Sequence, residues 1–184
     1  MKNLKLVAEQ VGVSERTLRR AINEGTLQAT RPTPRTLEMS LAERDYVRRK
    51  WSLLSALRTA LRTEPNVRFA LLFGSVAGSR DTPESDVDVL VELRDTDFER
   101  LVDLGLKLEE VVGCHVDVVE LHEAQRDPAL LARIVAEGRV LVDREQRWPR
   151  LRREENRLRQ RGVRRENERL RNALAGIDNL LASV

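Results

Sequence analysis

The sequence predicts an α+β fold in three parts: a helical head, a middle segment in which short strands alternate with helices, and a helical tail. Residues 1–50 hold 11 Lys or Arg against 6 Asp or Glu, residues 51–143 hold 10 against 18, and residues 144–184 hold 12 against 6. Valine- and leucine-rich runs of strand length lie in the middle part, whereas apolar residues of the head and tail recur at helical spacing. We therefore divide the chain into a head (1–50), a middle domain (51–143) and a tail (144–184).

Composition narrows the class of protein. Of the 184 residues, 41% are apolar, which is enough for a hydrophobic core, and 34% are charged, which indicates long solvated faces or a nucleic-acid or protein partner. Only 3% are aromatic, which argues against nucleic-acid binding by base stacking. Cys114 is the single cysteine, so no internal disulfide can form. The first residues lack the apolar core of a secretory signal, and no apolar run approaches the ~20 residues that span a bilayer. We expect a cytoplasmic protein with no membrane partner.

The head predicts two short helices joined by a tight turn. Residues 3–10 have one apolar face, Gly12 ends that pattern, and Ser14 is a suitable N-cap for the helix ERTLRRAINE that follows. Gly25 is a natural stop for the second helix. Such a pair predicts a helix-turn-helix, with LQATRPTPRTLEMS as a wing or hairpin and Ser40 as the cap of another helix.

Basic and hydroxyl side chains on the outer face of the second helix and on the wing favour binding to double-stranded DNA, since they suit phosphates and major-groove base edges. The run A-x-x-x-G-V-S-x-x-T-L-R-R, from Ala8 to Arg20, resembles the start of a MerR- or excisionase-type winged helix-turn-helix. The alternative is a helical hairpin used for packing or dimerisation. The predicted DNA contacts are Ser14, Arg16, Thr17, Arg19, Arg20, Arg31 and Arg35.

Four segments of the middle domain predict strands: residues 67–73, 86–93, 115–121 and 139–143. Helices are predicted over about 96–112 and over DPALLARIVAE, which has Pro128 near its first turn and Gly138 after its end. Asp86 and Asp88 are two residues apart on the second strand, so both side chains point to one face. The third strand brings Asp117.

Three neighbouring carboxylates predict a magnesium site. Like charges at this separation repel unless a cation lies between them, and Mg²⁺ is a hard cation that takes oxygen ligands. Two carboxylates and a third suit two-metal in-line displacement at phosphorus. Gly74-Ser75, at the junction of a strand and a helix, offers backbone amides and a hydroxyl to a phosphate. The structural alternative is that these are ordinary turn and edge carboxylates.

The motif G-S-V-A-G-S at 74–79, followed by S-D-V-D at 85–88, resembles that of the DNA polymerase beta-type nucleotidyltransferases, particularly the minimal (MNT) members, whose motif is G-S-x-A-R-G followed by S-D-x-D. The resemblance covers about residues 66–143. It implies a small mixed β-sheet flanked by helices, Mg²⁺ as cofactor, ATP or another nucleoside triphosphate as donor, and a role of Asp117 in activating the attacking hydroxyl. Gly78-Ser79 replaces the usual Arg-Gly, and Arg80 follows. The candidate residues are Asp86, Asp88 and Asp117 for catalysis and metal binding, and Gly74, Ser75, Ser79, Arg80 and Ser85 for the nucleotide.

The tail is rich in helix formers and arginine. Five apolar residues fit one heptad seam, and Leu151 and Leu158 are out of phase with it, so we expect a helix that bends or breaks near Gly162. Homodimerisation or partner binding through residues 150–184 is favoured over packing on the middle domain, and RNA binding stays open. The seam residues are Val163, Leu170, Leu174, Ile177 and Leu181.

The first functional hypothesis is an enzyme that transfers a nucleotide, AMP by default, to a macromolecule. Minimal nucleotidyltransferases resemble antitoxins that modify or restrain a HEPN-type toxin, and a DNA-binding head suits autorepression of an operon. A second hypothesis is a DNA-binding regulator whose transferase domain senses nucleotide or is inactive. A third is a transferase acting on small molecules or, as a toxin, on tRNA; the basic flanks fit a small-molecule acceptor poorly.

Overall fold

The structure is a computed structural model that describes residues 2–33 and 36–182, with only the backbone described at 2, 3, 169, 170 and 173–182. The predicted DNA contact Arg35 lies outside these residues. The elements are α1 (Lys2–Gln10), α2 (Glu15–Glu24), β1 (Thr30–Thr33), β2 (Thr36–Glu38), α3 (Leu41–Thr63), β3 (Val67–Phe73), α4 (Gly74–Ala77), β4 (Val87–Leu93), α5 (Phe98–Val112), β5 (Val116–Glu120), α6 (Leu121–Gln125), α7 (Pro128–Glu137), β6 (Arg139–Asp143) and α8 (Arg147–Ala182).

A four-stranded mixed sheet forms the centre of the molecule, in the order β5-β4-β3-β6. Strand β3 is antiparallel to both β4 and β6, whereas β4 and β5 are parallel. Helix α5 makes the crossover that a parallel pair requires. All four strands of the middle domain that the sequence predicts are present, within two residues at their ends.

Helices cover both faces of the sheet, as the alternation of side chains along β3 requires. Ala70 and Leu72 face a core shared with α3, α5 and the head, whereas Phe69 and Leu71 face a second core shared with α6, α7 and α8. Both faces are apolar because both are buried. The α+β class with a small mixed sheet flanked by helices is confirmed.

The head consists of α1, α2, the antiparallel β1–β2 hairpin and the start of α3. Ser14 caps α2 by accepting a hydrogen bond from the Thr17 amide at 3.1 Å, and Gly25 ends α2 at φ 84°. These elements match the predicted helices and hairpin, and their role in DNA binding stays a prediction. The division proposed at residues 50 and 51 falls within α3, a single helix of 23 residues that joins the head to the sheet.

The tail corrects one expectation about its shape. Helix α8 runs from Arg147 to Ala182 with no break at Gly162. A Cβ at residue 162 would lie 2.8 Å from the Cα of Ala129 in α7, so the glycine allows the two helices to approach closely. Leu151 and Leu158 are buried against α7, which explains why they are out of phase with the seam.

The first half of the tail therefore packs on the middle domain, the option that the sequence favoured less. Val163, the first seam residue, is 57% exposed. The side chains of Leu170, Leu174, Ile177 and Leu181 lie outside the described residues, so dimerisation through this seam stays a prediction. No helix in the described part of the chain is long and apolar enough to cross a membrane.

Candidate active site

Gly74 lies at the end of β3, where the chain turns into the short helix α4. Its backbone has φ 73°, in the left-handed region that favours glycine. A Cβ built at this position would lie 1.9 Å from Oδ2 of Asp88. The carboxylate of Asp88 therefore occupies the space of the side chain that Gly74 lacks.

The three aspartates come together at one edge of the sheet. Asp88 in β4 stands opposite Phe73 at the end of β3 and beside Asp117 in the parallel strand β5. Asp86 lies two residues before Asp88, just ahead of β4. Burial raises the pKa of the half-buried Asp88, and the charges of Asp117 and Asp86 raise it further. The direction of this shift is that expected for neighbouring carboxylates that repel one another.

Uncompensated carboxylates at this edge are a suitable environment for a divalent cation, because a cation would relieve their mutual repulsion and take oxygen ligands. Within residues 2–33 and 36–182, no three Asp, Glu, His or Cys side chains already stand in metal-site geometry. The carboxylate oxygens fit Mg²⁺ by their chemistry, and its binding by Asp86, Asp88 and Asp117 stays a prediction.

A cavity of about 370 Å³ adjoins Gly74 and Asp88. This volume falls within the range of small-molecule sites. Ser75 lines the cavity from α4, and Arg80 lines it from the loop that follows. The predicted nucleotide residues Gly74, Ser75 and Arg80 are therefore brought together beside Asp88.

Two other predicted nucleotide residues do not line this cavity. The hydroxyl of Ser85 accepts a hydrogen bond from the Thr82 amide at 2.9 Å and so closes a turn ahead of β4. The hydroxyl of Ser79 accepts from Nη2 of Arg49 at 3.2 Å, and its backbone has φ 57°. Residue 79 is the position at which the motif G-S-x-A-R-G has glycine, which accounts for a left-handed backbone there.

Arg80 fills the space left by the glycine that replaces the usual arginine. A Cβ at Gly78 would lie 2.6 Å from Nη1 of Arg80, so the Arg80 guanidinium lies over the Gly78 backbone. Nη2 of Arg80 also forms an ion pair with Glu137 at 2.5 Å. The departure from the motif at residue 78 is thus linked to the arginine two positions later: the absence of a side chain at one position makes room for the other.

Sequence reasoning missed Arg133 as a residue of this cavity. This exposed arginine of α7 lines the same cavity as Ser75 and Arg80. On the sequence it is one basic residue on the polar face of an amphipathic helix, about 60 residues from the motif. Only the packing of α7 beside β3 brings it to the site. Arg133 gives this cavity a cation suitable for a polyphosphate, and Arg80 adds a second one that is ion-paired with Glu137.

His115 contacts the site from its outer side. Its Nε2 lies 3.4 Å from Oδ1 of Asp117, and its Nδ1 is hydrogen-bonded to Glu109. The hydrogen bond to Glu109 raises the pKa of the imidazole, and the charges of Glu109 and Asp117 act in the same direction. The alternation of residues along β5 places His115 and Asp117 on the same face, as expected for positions two apart.

The described DNA candidates of the head lie around α2 and the hairpin. Arg19 forms an ion pair with Glu15 at 2.6 Å, Arg20 with Glu24 at 2.7 Å, and Arg31 donates to Asn23 at 2.6 Å. The hydroxyls of the two remaining candidates on the α2 cap, Ser14 and Thr17, are 2.8 Å apart, and Arg16 is exposed. All are placed on the outside of the head, where a nucleic acid could reach them.

Comparison with protein families now identifies the middle of the chain. Residues 55–147 match the family model described as "Polymerase beta, Nucleotidyltransferase". The chain belongs to this nucleotidyltransferase family. The protein is therefore a nucleotidyltransferase, as the motif at 74–88 predicts, and this part of the expected resemblance is confirmed.

A curated relative from Methanocaldococcus jannaschii is named "Putative protein adenylyltransferase MJ0604". It is 34% identical over 79 residues, which cover 41% of this chain and 78% of the relative. The relative thus shares most of its length with this chain and supports the same family assignment.

Solved structures with partial similarity include a chain of a toxin–antitoxin complex with AMP-PNP (22% identity, TM-score 0.47, covering 70% of this chain and 98% of that one). Another is a chain of the complex between a tri-AMPylated HEPN toxin of Shewanella oneidensis and an MNT antitoxin (21% identity, TM-score 0.40, 72% and 95% coverage). Similarity at this level assigns neither an activity nor a partner to this chain.

Proposed function

We propose that this nucleotidyltransferase transfers AMP from ATP to a protein, and that it serves as the antitoxin of a toxin–antitoxin pair whose HEPN-like toxin is the acceptor or the bound partner. The observation that carries the transfer is the meeting of Asp88, Asp117 and Gly74 beside a cavity lined by Ser75 and Arg80. The name of the Methanocaldococcus jannaschii relative supports a protein acceptor.

The site supplies the groups that the transfer requires. The cavity beside Ser75 receives the triphosphate, with Arg80 and Arg133 as cations for its oxygens. The acceptor hydroxyl attacks the α-phosphorus, Asp117 takes its proton, the bond to the β-phosphate oxygen breaks, and pyrophosphate leaves. Asp86 and Asp88 would hold Mg²⁺, which neutralises charge on the phosphates. Because these groups stand on adjacent strands, the attacking and leaving atoms can be held in line.

The antitoxin role rests on the resemblance of the 74–88 motif to MNT members and on the basic head. A head that binds operator DNA would allow the same chain to repress its operon, and a dimer formed through α8 would match a two-fold operator. The regulator hypothesis has one specific observation in its favour, the replacement of Arg-Gly by Gly78-Ser79. The position of Arg80 over Gly78 weakens it, because an arginine remains at the site.

An assay with labelled ATP and Mg²⁺ tests the proposal on the full chain with an extract of its host or with the product of a neighbouring gene. We expect label in a protein band that proteinase removes and ribonuclease leaves. Asp86→Asn with Asp88→Asn should reduce labelling by about 10³-fold, since the transition-state charge loses its support. Asp103→Asn, an exposed carboxylate on α5, is the matched control and should label normally.

Three outcomes would contradict the proposal in different ways. Label that ribonuclease removes would assign an RNA acceptor. If neither the wild type nor the double variant transfers label while both still bind operator DNA, the regulator hypothesis is favoured. Label that migrates with a small molecule would contradict transfer to any macromolecule.

A further inference from the structure

A second cavity, of about 250 Å³, lies between α2 and α3, away from the aspartates. Its lining is dominated by guanidinium and hydroxyl groups, with Trp51 at the apolar side. Helix α2 contributes the exposed residues Arg16 and Arg20, and α3 contributes Arg58 and Arg62 one turn apart. Four arginines thus converge on one small space from two helices.

The carboxylate of Glu24 accepts hydrogen bonds from three of these four arginines. Glu24 accepts from Nε of Arg20 at 2.7 Å, from Nη2 of Arg62 at 3.1 Å and from Nη2 of Arg58. Burial alone would raise the pKa of Glu24, but the hydrogen bond from Arg20 and the charges of the neighbouring arginines lower it. In the described part of the chain Arg16 has no ion pair. Four positive charges against one negative leave the cavity with a clear excess of positive charge.

Arg58 has a buried hydrogen-bond donor that none of these neighbouring residues satisfies. Its side chain is more than nine-tenths buried and lines the cavity, and its Nε donor has no hydrogen-bond partner. A buried guanidinium donor without a partner costs free energy, so such groups are normally satisfied. Burial, followed by the like charge of Arg62, lowers the pKa of Arg58. An additional anion in the cavity would offset the repulsion among these groups.

We propose that the cavity between α2 and α3 binds a phosphate group, and that the backbone of duplex DNA lying along α2 supplies it. Arginine guanidinium and hydroxyl groups are the usual donors to phosphate oxygens. The volume is below the ~300 Å³ at which small-molecule sites begin, and it suits a single phosphate. Arg16, Thr17 and Arg20, which the sequence predicts as DNA contacts, line this same cavity.

Only the source of the phosphate rests on the proposed DNA binding; the cavity and its charge excess do not. The phosphate site extends the DNA-binding surface beyond residue 50, because Arg58 and Arg62 belong to the part of α3 that follows the head. The same helix that anchors the sheet would then also contact the DNA backbone.

Titration of the full-length protein against duplex DNA at several salt concentrations tests the source. Arg62→Gln should weaken binding several-fold on every DNA sequence and reduce the slope of log Kobs against log salt by about 1, the loss of one phosphate contact. Arg94→Gln removes an equal charge from an exposed arginine after β4 and should leave the slope unchanged. Equal effects of the two variants would overturn the DNA backbone as the source.

Glu24→Gln gives a prediction in the opposite direction. It removes the anion that competes with phosphate, so DNA binding should become several-fold tighter. A cluster that serves only to join α2 and α3 would instead give weaker or unchanged binding, which would count against the proposal. Circular dichroism of each variant confirms that the helices are retained.

Inorganic phosphate, added at constant ionic strength against chloride, tests the cavity without DNA. It should raise the Tm of the wild type and of Arg94→Gln, and raise that of Arg62→Gln much less. If Arg62→Gln loses the rise in Tm with phosphate but binds DNA normally, the cavity binds a free phosphorylated ligand instead of the DNA backbone. No difference in either measurement overturns the site. AMP transfer should be normal in Arg62→Gln, so failure of the proposed enzymatic function would be seen separately.

Discussion

Residue 74 can carry no side chain, because the Asp88 carboxylate already fills the space beside its Cα. At the scale of single residues, the site therefore depends on the lack of a side chain at residue 74 as much as on the aspartate carboxylates. The same is true of Gly78, where the Arg80 guanidinium lies over the backbone. In the sequence Gly74 is part of the motif and Gly78 is a departure from it, but the atoms that occupy the space beside these two glycines are visible only in the fold.

Gly74→Ala should abolish most AMP transfer while leaving the fold intact. The added methyl must displace the Asp88 carboxylate, and a misplacement of about 1 Å at a reacting group costs ~10²-fold in rate. The backbone at φ 73° adds a stability cost of about 1–2 kcal/mol. Rates with labelled ATP and urea unfolding measure the two effects.

Gly113→Ala separates the two effects. This glycine has φ 75° but open space around its Cα, so the variant should show a similar stability loss and full activity. Normal activity in Gly74→Ala would contradict the role given to the Asp88 position.

At the element scale, the apolar pattern of α8 changes phase along the helix. Its first half packs against α7 through Leu151 and Leu158, and its second half carries the remaining seam. Because a helix repeats every 3.6 residues, a change of phase in the apolar pattern can mark a change of partner rather than a break. That is the physical reason why the expected bend at Gly162 was wrong.

Leu158→Ala should lower the free energy of unfolding by about 2–5 kcal/mol, since it leaves a cavity between α7 and α8. Leu158 is 5% exposed, whereas Val163, five residues later, is 57% exposed. Val163→Ala is therefore the control and should change stability by less than about 0.5 kcal/mol in the monomer. Equal losses in urea unfolding would contradict the packing of α8 on α7.

The contact between α2 and α3 should depend on pH through Glu24. Its pKa is lowered in the folded state, so the carboxylate stabilises the fold above its unfolded pKa of about 4.3 and ceases to do so as pH falls through the lowered folded pKa. The Tm of wild type should exceed that of Glu24→Gln at neutral pH, and the difference should shrink as pH falls below the unfolded pKa of the carboxyl and disappear below its lowered folded pKa. Glu99→Gln, an exposed change on α5, should show no such trend.

At the scale of the whole molecule, the head and the sheet are joined by more than α3. Arg139, at the start of β6, forms a buried bidentate ion pair with Glu43 of α3 at 2.6 and 2.9 Å. Its Nε donates to the Ala77 carbonyl of α4 at 2.8 Å, and its guanidinium lies over the Tyr46 ring. The Arg139 side chain thus contacts both α3, which begins in the head, and α4, the short helix at the candidate active site.

Arg139→Met should destabilise the protein by about 3–5 kcal/mol, because Glu43 is left buried without its partner. The double variant Arg139→Met with Glu43→Leu should recover much of that loss, since neither charge then remains. Urea unfolding followed by tryptophan fluorescence measures both. A wild-type transition in two separated steps would contradict the single cooperative unit that this contact implies.

The sequence by itself determined the strands, the motif and the pair of aspartates. Apolar runs set the strands, and the two-residue period of a strand predicts that Asp86 and Asp88 share one face. These are local properties, and local geometry is nearly the same in every fold that contains such a strand.

Only the tertiary structure decided which distant residues meet. The fold brings Arg133 of α7 to the cavity beside Gly74, and it brings Arg58 of α3 to the cavity beside α2. Likewise, Leu158 packs against α7, and Arg139 forms an ion pair with Glu43, which is 96 residues away along the chain. Such contacts depend on how whole helices pack, a sum of many weak interactions that no local pattern in the sequence records.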